Sequence, residues 1–276
     1  MRRFALAWAA LISTLPLFAQ DARAIVRKSV ELDQLNWARR KDYTWVGRET
    51  ERYLDSNGTV KSTKSQSWET LVLYGEPHRR EIERDGKKLP PEEQRKQQEK
   101  LDKAIAKLEH ETPEQRQHRV AERDRQREKD WAFLREIPDL FDLRIEGETT
   151  LDGRDVWVIQ ATPRPESHPS SGDAKALLKI RGKIWVDKAE YQWVRIEAET
   201  MGTISYGIFL ARLDPGAKLV FEQERVNNEV WLPKHMHTSG SGRVALLKRI
   251  SMEDDLTWSN YRKFQVDSKI ISDKSY

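Results

Sequence analysis

Apolar and polar residues alternate with a period of two through most of the chain after Leu134, most regularly between Gly153 and Thr200. In Lys179–Asp187 the residues Ile180, Gly182, Ile184 and Val186 alternate with Arg181, Lys183 and Trp185, which assigns one set to each face of a sheet. The next segment answers it: Val194, Ile196 and Ala198 alternate with Trp193, Arg195 and Glu197, and the short connection between them predicts an antiparallel hairpin. Further strands are expected over Ser205–Leu213, Leu219–Val226, Val230–His237, Val244–Met252 and Leu256–Phe264, broken by Asp214-Pro215-Gly216, Asn227-Asn228 and Gly240-Ser241-Gly242. Loops this short imply antiparallel neighbours, and a twisted sheet of about nine to eleven strands tends to curl.

The first half reads differently. Asp21 caps an expected helix to Arg40 with Ala22, Ile25, Val26 and Val30 on one side. Strand formers follow from Tyr43 to Tyr53 and from Val60 to Tyr74, joined by a turn at Asp55-Ser56-Asn57-Gly58, and Gly75-Glu76-Pro77 is expected to end the second strand. Residues 90–137 form a charged helical insertion with a short stripe of Leu101, Ala104, Ile105 and Leu108, and Thr112-Pro113-Glu114 starts its second helix.

Charge refines this picture. Charged residues make up 34% of the 276, yet Glu92 to Asp130 holds eleven acids and eleven bases, interleaved at spacings that pair along a helix. That balance and the net charge of +4 argue against a nucleic-acid partner. The ten tryptophans argue against disorder. Arg2 and Arg3, the apolar run to Phe18 and the small residues after it predict a secretory signal peptide over residues 1–19 and a periplasmic mature protein. The chain has no cysteine, which removes disulfides, thiol nucleophiles and cysteine-zinc sites.

Catalytic motifs are absent: there is no G-x-S-x-G, H-E-x-x-H or P-loop, so no enzyme, no cofactor and no catalytic residue is expected. His235 and His237 share a face of one strand, but with only Asp254 or Asp255 to add no metal site is assigned.

The run G-R-D-V-W-V-I-Q-A-T-P at Gly153–Pro163, K-I-W-V-D-K-A-E-Y-Q-W-V-R-I-E at Lys183–Glu197, Trp231-Leu232-Pro233 and W-S-N-Y-R-K-F at Trp258–Phe264 resemble the bacterial outer-membrane lipoprotein-sorting proteins of the LolA/LolB-like periplasmic carrier family. The resemblance implies an α+β fold, mainly β, in which a large curved antiparallel sheet makes a half-open barrel covered by helices. It implies one domain over residues 20–264, with a tail at 265–276. It also implies a monomer that holds lipid or lipoprotein acyl chains and meets a membrane or outer-membrane acceptor. Trp157, Ile159, Ile184, Val194, Ile196, Leu219 and Phe221 are the residues expected to line the ligand cavity. The other function of such a fold is that of an envelope sensor like RseB, in which the ligand regulates a protein contact.

Overall fold

The computed structural model describes residues 21–74, 76–206, 211–244 and 248–263; the leader expected over residues 1–19 and the tail at 265–276 lie outside the described residues. Asp21 accepts a hydrogen bond from the Arg23 amide and starts α1 (Ala22–Arg40). A meander comes next: β1 (Tyr43–Leu54), β2 (Val60–Leu73), β3 (Glu76–Arg84) and the short β4 (Lys87–Lys88). The insertion holds α2 (Pro91–Glu109), α3 (Pro113–Trp131), a 3-10 turn and the short α4 (Ile137–Leu140). Then come β5 (Phe141–Leu151), β6 (Arg154–Pro163), α5 (Gly172–Leu177), β7 (Ile180–Asp187), β8 (Trp193–Thr200), β9 (Ile204–Tyr206), β10 (Ala211–Leu213), β11 (Lys218–Val226), β12 (Val230–Val244) and β13 (Lys248–Lys263).

All the strands join one antiparallel sheet in the order β4-β3-β2-β1-β13-β12-β11-β8-β7-β6-β5, with β9 and β10 beside β12. The sheet is open, and β4 and β5 are its two ends. The pairing of β1 with β13 joins the amino-terminal meander to the carboxy-terminal one, so neither half has its full sheet alone. Turns fall where residues tolerating positive φ stand: Asp85-Gly86, Asp152-Gly153 and Asn227-Asn228 all adopt it.

Three local expectations are corrected. Val244–Met252 and Leu256–Phe264 do not form two strands, because β13 runs unbroken from Lys248 to Lys263. Ser205–Leu213 is two short strands, β9 and β10, rather than one. Gly240-Ser241-Gly242 is no turn; it continues β12 opposite Ile250 to Met252. The glycines serve close approach instead: a Cβ on Gly240 would lie 2.6 Å from the Ala217 Cβ, and one on Gly242 would lie 2.2 Å from the Arg212 carbonyl oxygen. Gly182 repeats the device in β7, where a Cβ would meet the Glu197 carbonyl oxygen at 2.1 Å.

The main core lies between α1 and the β5-to-β8 part of the sheet, with Ile25, Val26 and Val30 packed among Trp157, Ile159, Ile184, Val186 and Trp193. Farther along α1, Asn36 receives the Trp231 amide (3.0 Å) and donates to the Trp231 carbonyl (2.8 Å), as a neighbouring strand would. The insertion joins this core through Phe133, Leu134, Ile137 and Leu140 of its 3-10 turn and α4, and its longer helices reach the β3 end. α2 rests on β3 through Arg80–Gln98 (2.7 Å) and Arg84–Glu93 (2.8 Å), and buries Leu101 and Leu108. α3 buries no residue and is tethered by Arg119 to Glu111 and Glu76. Its start carries the expected cap, a reciprocal pair of bonds between Thr112 and Gln115.

This division has a measurable consequence. Leu101→Ala or Leu108→Ala should cost about 2–4 kcal/mol in urea unfolding, whereas Arg125→Ala on the exposed side of α3 should stay within about 0.5 kcal/mol.

Candidate ligand-binding face

Residues directly opposite one another on paired strands project from the same face of the sheet. One such row can be followed across nearly the whole molecule: Ile145, Ile159, Ile184, Ile196, Phe221, Met236 and Leu256 are successive partners from β5 to β13. It then turns polar as Glu49, Gln66 and Arg84 on β1, β2 and β3. A second row beside it runs Ala161, Gly182, Ala198, Leu219, Thr238, Asp254, Glu51 and Lys64. This is the face that carries α1.

α1 and α4 close over only part of it. Trp157, Ile159 and Ile184 are buried in the α1 core, Ile159 completely. Ile196 is half-buried at the margin of that core, and Leu219 and Phe221 are half-buried beyond it. Val194 goes elsewhere: it packs with Val156 and Trp231 in a separate cluster, and Trp193 takes the place beside Val186 in the α1 core. The cause is a β-bulge, since Trp185 pairs with Arg195 but Val186 pairs with Trp193, which leaves Val194 as the extra residue. Of the seven expected residues, six therefore share one face.

Sequence reasoning missed Met236 and Leu256, which extend the apolar row by two strands. Each is a lone apolar residue in a polar run, Met236 between two histidines and Leu256 after Asp254-Asp255, and only the register shows where it points.

Past Leu256 the face is acidic. Glu51 stands directly opposite Asp254, and Glu49 is the next residue of that face on β1. Glu49 accepts from Gln66 and Glu51 from the Tyr53 hydroxyl (3.0 Å), while Oδ1 of Asp254 is shielded from solvent and has no hydrogen-bond partner. Burial, with the charges of Glu49, Glu51 and Asp255 added to it, pushes the Asp254 pKa up to about 6. Glu49 and Glu51 also line a groove of about 340 Å³ with Lys64, Gln66, Glu81, Arg84 and Asp85.

The neighbouring Asp255 points the other way. It lies 3.3 Å from His235 Nε2 and 3.0 Å from His237 Nδ1 and is also bonded to Arg52. Burial opposes its ionisation, but the bonds from Arg52, His237 and His235 outweigh burial and bring its pKa down to about 2. The two histidines thus share Asp255, yet no group of three or more side chains among the described residues could hold a metal ion.

The opposite shifts predict opposite pH effects. Asp254 titrates above its ordinary value, so its ionisation costs the fold little below about pH 4, increasingly between about pH 4 and 6, and by a constant amount above. Asp254→Asn should therefore raise the melting midpoint at about pH 7.5 and leave it unchanged near pH 4. Asp255→Asn should lower the midpoint at about pH 7.5, because its carboxylate is the favoured form in the folded state above pH 2.

No family model and no curated protein matches the chain. Solved structures do. A DUF1329 family protein from Desulfovibrio piger is 14% identical with a TM-score of 0.33, covering 90% of this chain and 95% of that one. A LolA superfamily protein from Nitrosomonas europaea is 9% identical with a TM-score of 0.28, covering 88% and 93%. The MucA/MucB complex of Pseudomonas aeruginosa matches at 11% identity and a TM-score of 0.26, covering 89% and 99%. No described helix is long and apolar enough to cross a membrane.

Proposed function

We propose that the protein binds the acyl chains of lipids or lipoproteins on the uncovered part of this face and carries them through the periplasm. The observation that carries the reading is the half-buried row Ile196, Phe221, Met236 and Leu256, four apolar side chains on four adjacent strands, of which Ile196 borders the α1 core and the other three lie outside that cluster. Three steps of about 4.8 Å give a track roughly 14 Å long that crosses the strands. Each methylene moved from water onto it contributes about 0.8 kcal/mol, so a chain of modest length binds without any specific chemistry.

Leu219 widens the track beside Phe221. Under α1 the core is filled, so Trp157, Ile159 and Ile184 support the ligand floor and do not touch the ligand, and Val194 has no part in it. Delivery in the periplasm rests on the basic, apolar and small-residue order of the leader.

The test is uptake of a pyrene-labelled monoacylglycerol, whose head is uncharged. The wild-type protein should take it up. Phe221→Asp should reduce uptake by about tenfold or more while melting near the wild-type temperature, because the side chain is already partly in water. Uptake by Phe221→Asp equal to wild type, or none by wild type, would overturn the proposal.

A further inference from the structure

We propose that the amphiphile bound on this face carries a cationic head, an ammonium, and that the head sits over Glu49, Glu51 and Asp254. The inference rests on the acyl-binding reading and adds to it the chemical class of the ligand.

The track has two ends of different kinds. Toward β7 it runs into the filled core beneath α1, where Ile184 is 6% and Ile159 0% exposed. A charged head has no place there, since an ion taken out of water without a partner is strongly disfavoured. Toward β1 the same row passes from Leu256 to Glu49 and opens to solvent. An amphiphile with its tail on Ile196, Phe221, Met236 and Leu256 must therefore place its head at the β1 end.

The charge at that end is negative. Glu51 and Asp254 are direct cross-strand partners, an arrangement of like charges that weakens a sheet. Oδ1 of Asp254 has no partner although solvent does not reach it. Two cations line the groove as well: Arg84 bonds Glu81 and Glu93 at 2.8 Å each, and Lys64, opposite Glu51, holds its ammonium 5.4 Å from the centre of the Tyr53 ring, so the acids outnumber the cations left to meet a ligand. An anionic head would meet repulsion. An ammonium in the groove would meet the carboxylates of Glu49 and Glu51, with the charge of Asp254 beside them. The acids alone would be an ordinary solvated patch; they select a head because the apolar row ends among them, so that the tail supplies affinity and the carboxylates supply the preference.

Dodecylammonium and dodecanoate share a chain length and differ in head charge, which makes them the probes. Calorimetric titration at about pH 7.5, below the micellar concentration of each, should give roughly tenfold tighter binding of dodecylammonium. The preference should shrink between about 20 mM and about 500 mM salt as the charges are screened. In the double variant Glu51→Gln/Asp254→Asn, which removes the Glu51–Asp254 repulsion and keeps an oxygen at position 51 to accept from the Tyr53 hydroxyl, dodecanoate should gain affinity and the ratio should approach one. Equal binding of the two probes by the wild type, or an unchanged ratio in the double variant, overturns the inference and leaves the acyl-binding reading in place. Binding of neither probe, together with no uptake of the uncharged monoacylglycerol, removes both.

Discussion

A sheet of eleven strands in series is about 48 Å wide at 4.8 Å a step, and the long helix on its apolar face, nineteen residues, reaches about 28 Å. Coverage is therefore incomplete by geometry. Where α1 lies, the strands carry Ile, Val and Trp on the covered side and bury them almost fully. Where it does not, the same side carries Leu219, Phe221, Met236 and Leu256, half-buried, and then Glu49, Glu51 and Asp254. The second helical unit adds little apolar cover: α2 rests on β3, and α3, which buries no residue, runs from Glu76 toward α1, where Asp124, Arg127 and Glu128 face Asp33 and Gln34. The candidate site is the gap between two covers.

The residues that carry the family resemblance turn out to be holding the sheet in shape. Asp187 accepts from the amides of Ala189 and Glu190 and pairs with Arg154, fixing the turn between β7 and β8. Glu190 joins Arg154, Arg225 and the Trp231 indole, while Arg154 stacks on that indole at 4.9 Å. From the other side Asn36 and Arg40 take the Trp231 backbone, and Tyr261 donates to the Pro233 carbonyl at 2.5 Å. Gly153–Pro163, Lys183–Glu197, Trp231–Pro233 and the final W-S-N-Y-R-K-F run thus meet around one junction. Motifs of this kind specify an architecture; apart from Ile196 they do not enter the apolar row, and so they leave the ligand unspecified.

Much of the fold was legible because period-two alternation, cap residues and turn residues each report a local backbone state. α1, the two helices of the insertion and the hairpin around Asp187 follow from such signals. The features that were not legible depended on register. The bulge at Val194 exchanges it with Trp193, and no count of alternation reveals an inserted residue. Gly240 and Gly242 carry the composition of a turn but exist for close approach, a distinction set by Ala217 and Arg212 from other strands. The row through Phe221, Met236 and Leu256 became visible only once three pairings were fixed, since each residue alone is an ordinary apolar position among polar ones.

Asp254 and Asp255 show how much alternation alone can decide. The two are chemically identical neighbours, and the strand sends one to each face. Asp255 finds two histidines and an arginine there and is held ionised; Asp254 finds Glu49 and Glu51 and resists ionisation. Nothing in the fold requires the second arrangement, because an asparagine opposite Glu51 would serve the β1 and β13 pairing as well without the repulsion. Elsewhere the sheet holds salt-bridged cross-strand pairs, Arg181–Glu199 and Arg195–Glu222, and like-charged ones, Arg84–Lys87 and Arg243–Arg249, which are exposed to solvent where Glu51 and Asp254 are half-buried. A like-charged pair kept half-buried beside an apolar row stands where a ligand cation would make it favourable. That coincidence of position, more than the acidity itself, ties the carboxylates to the track.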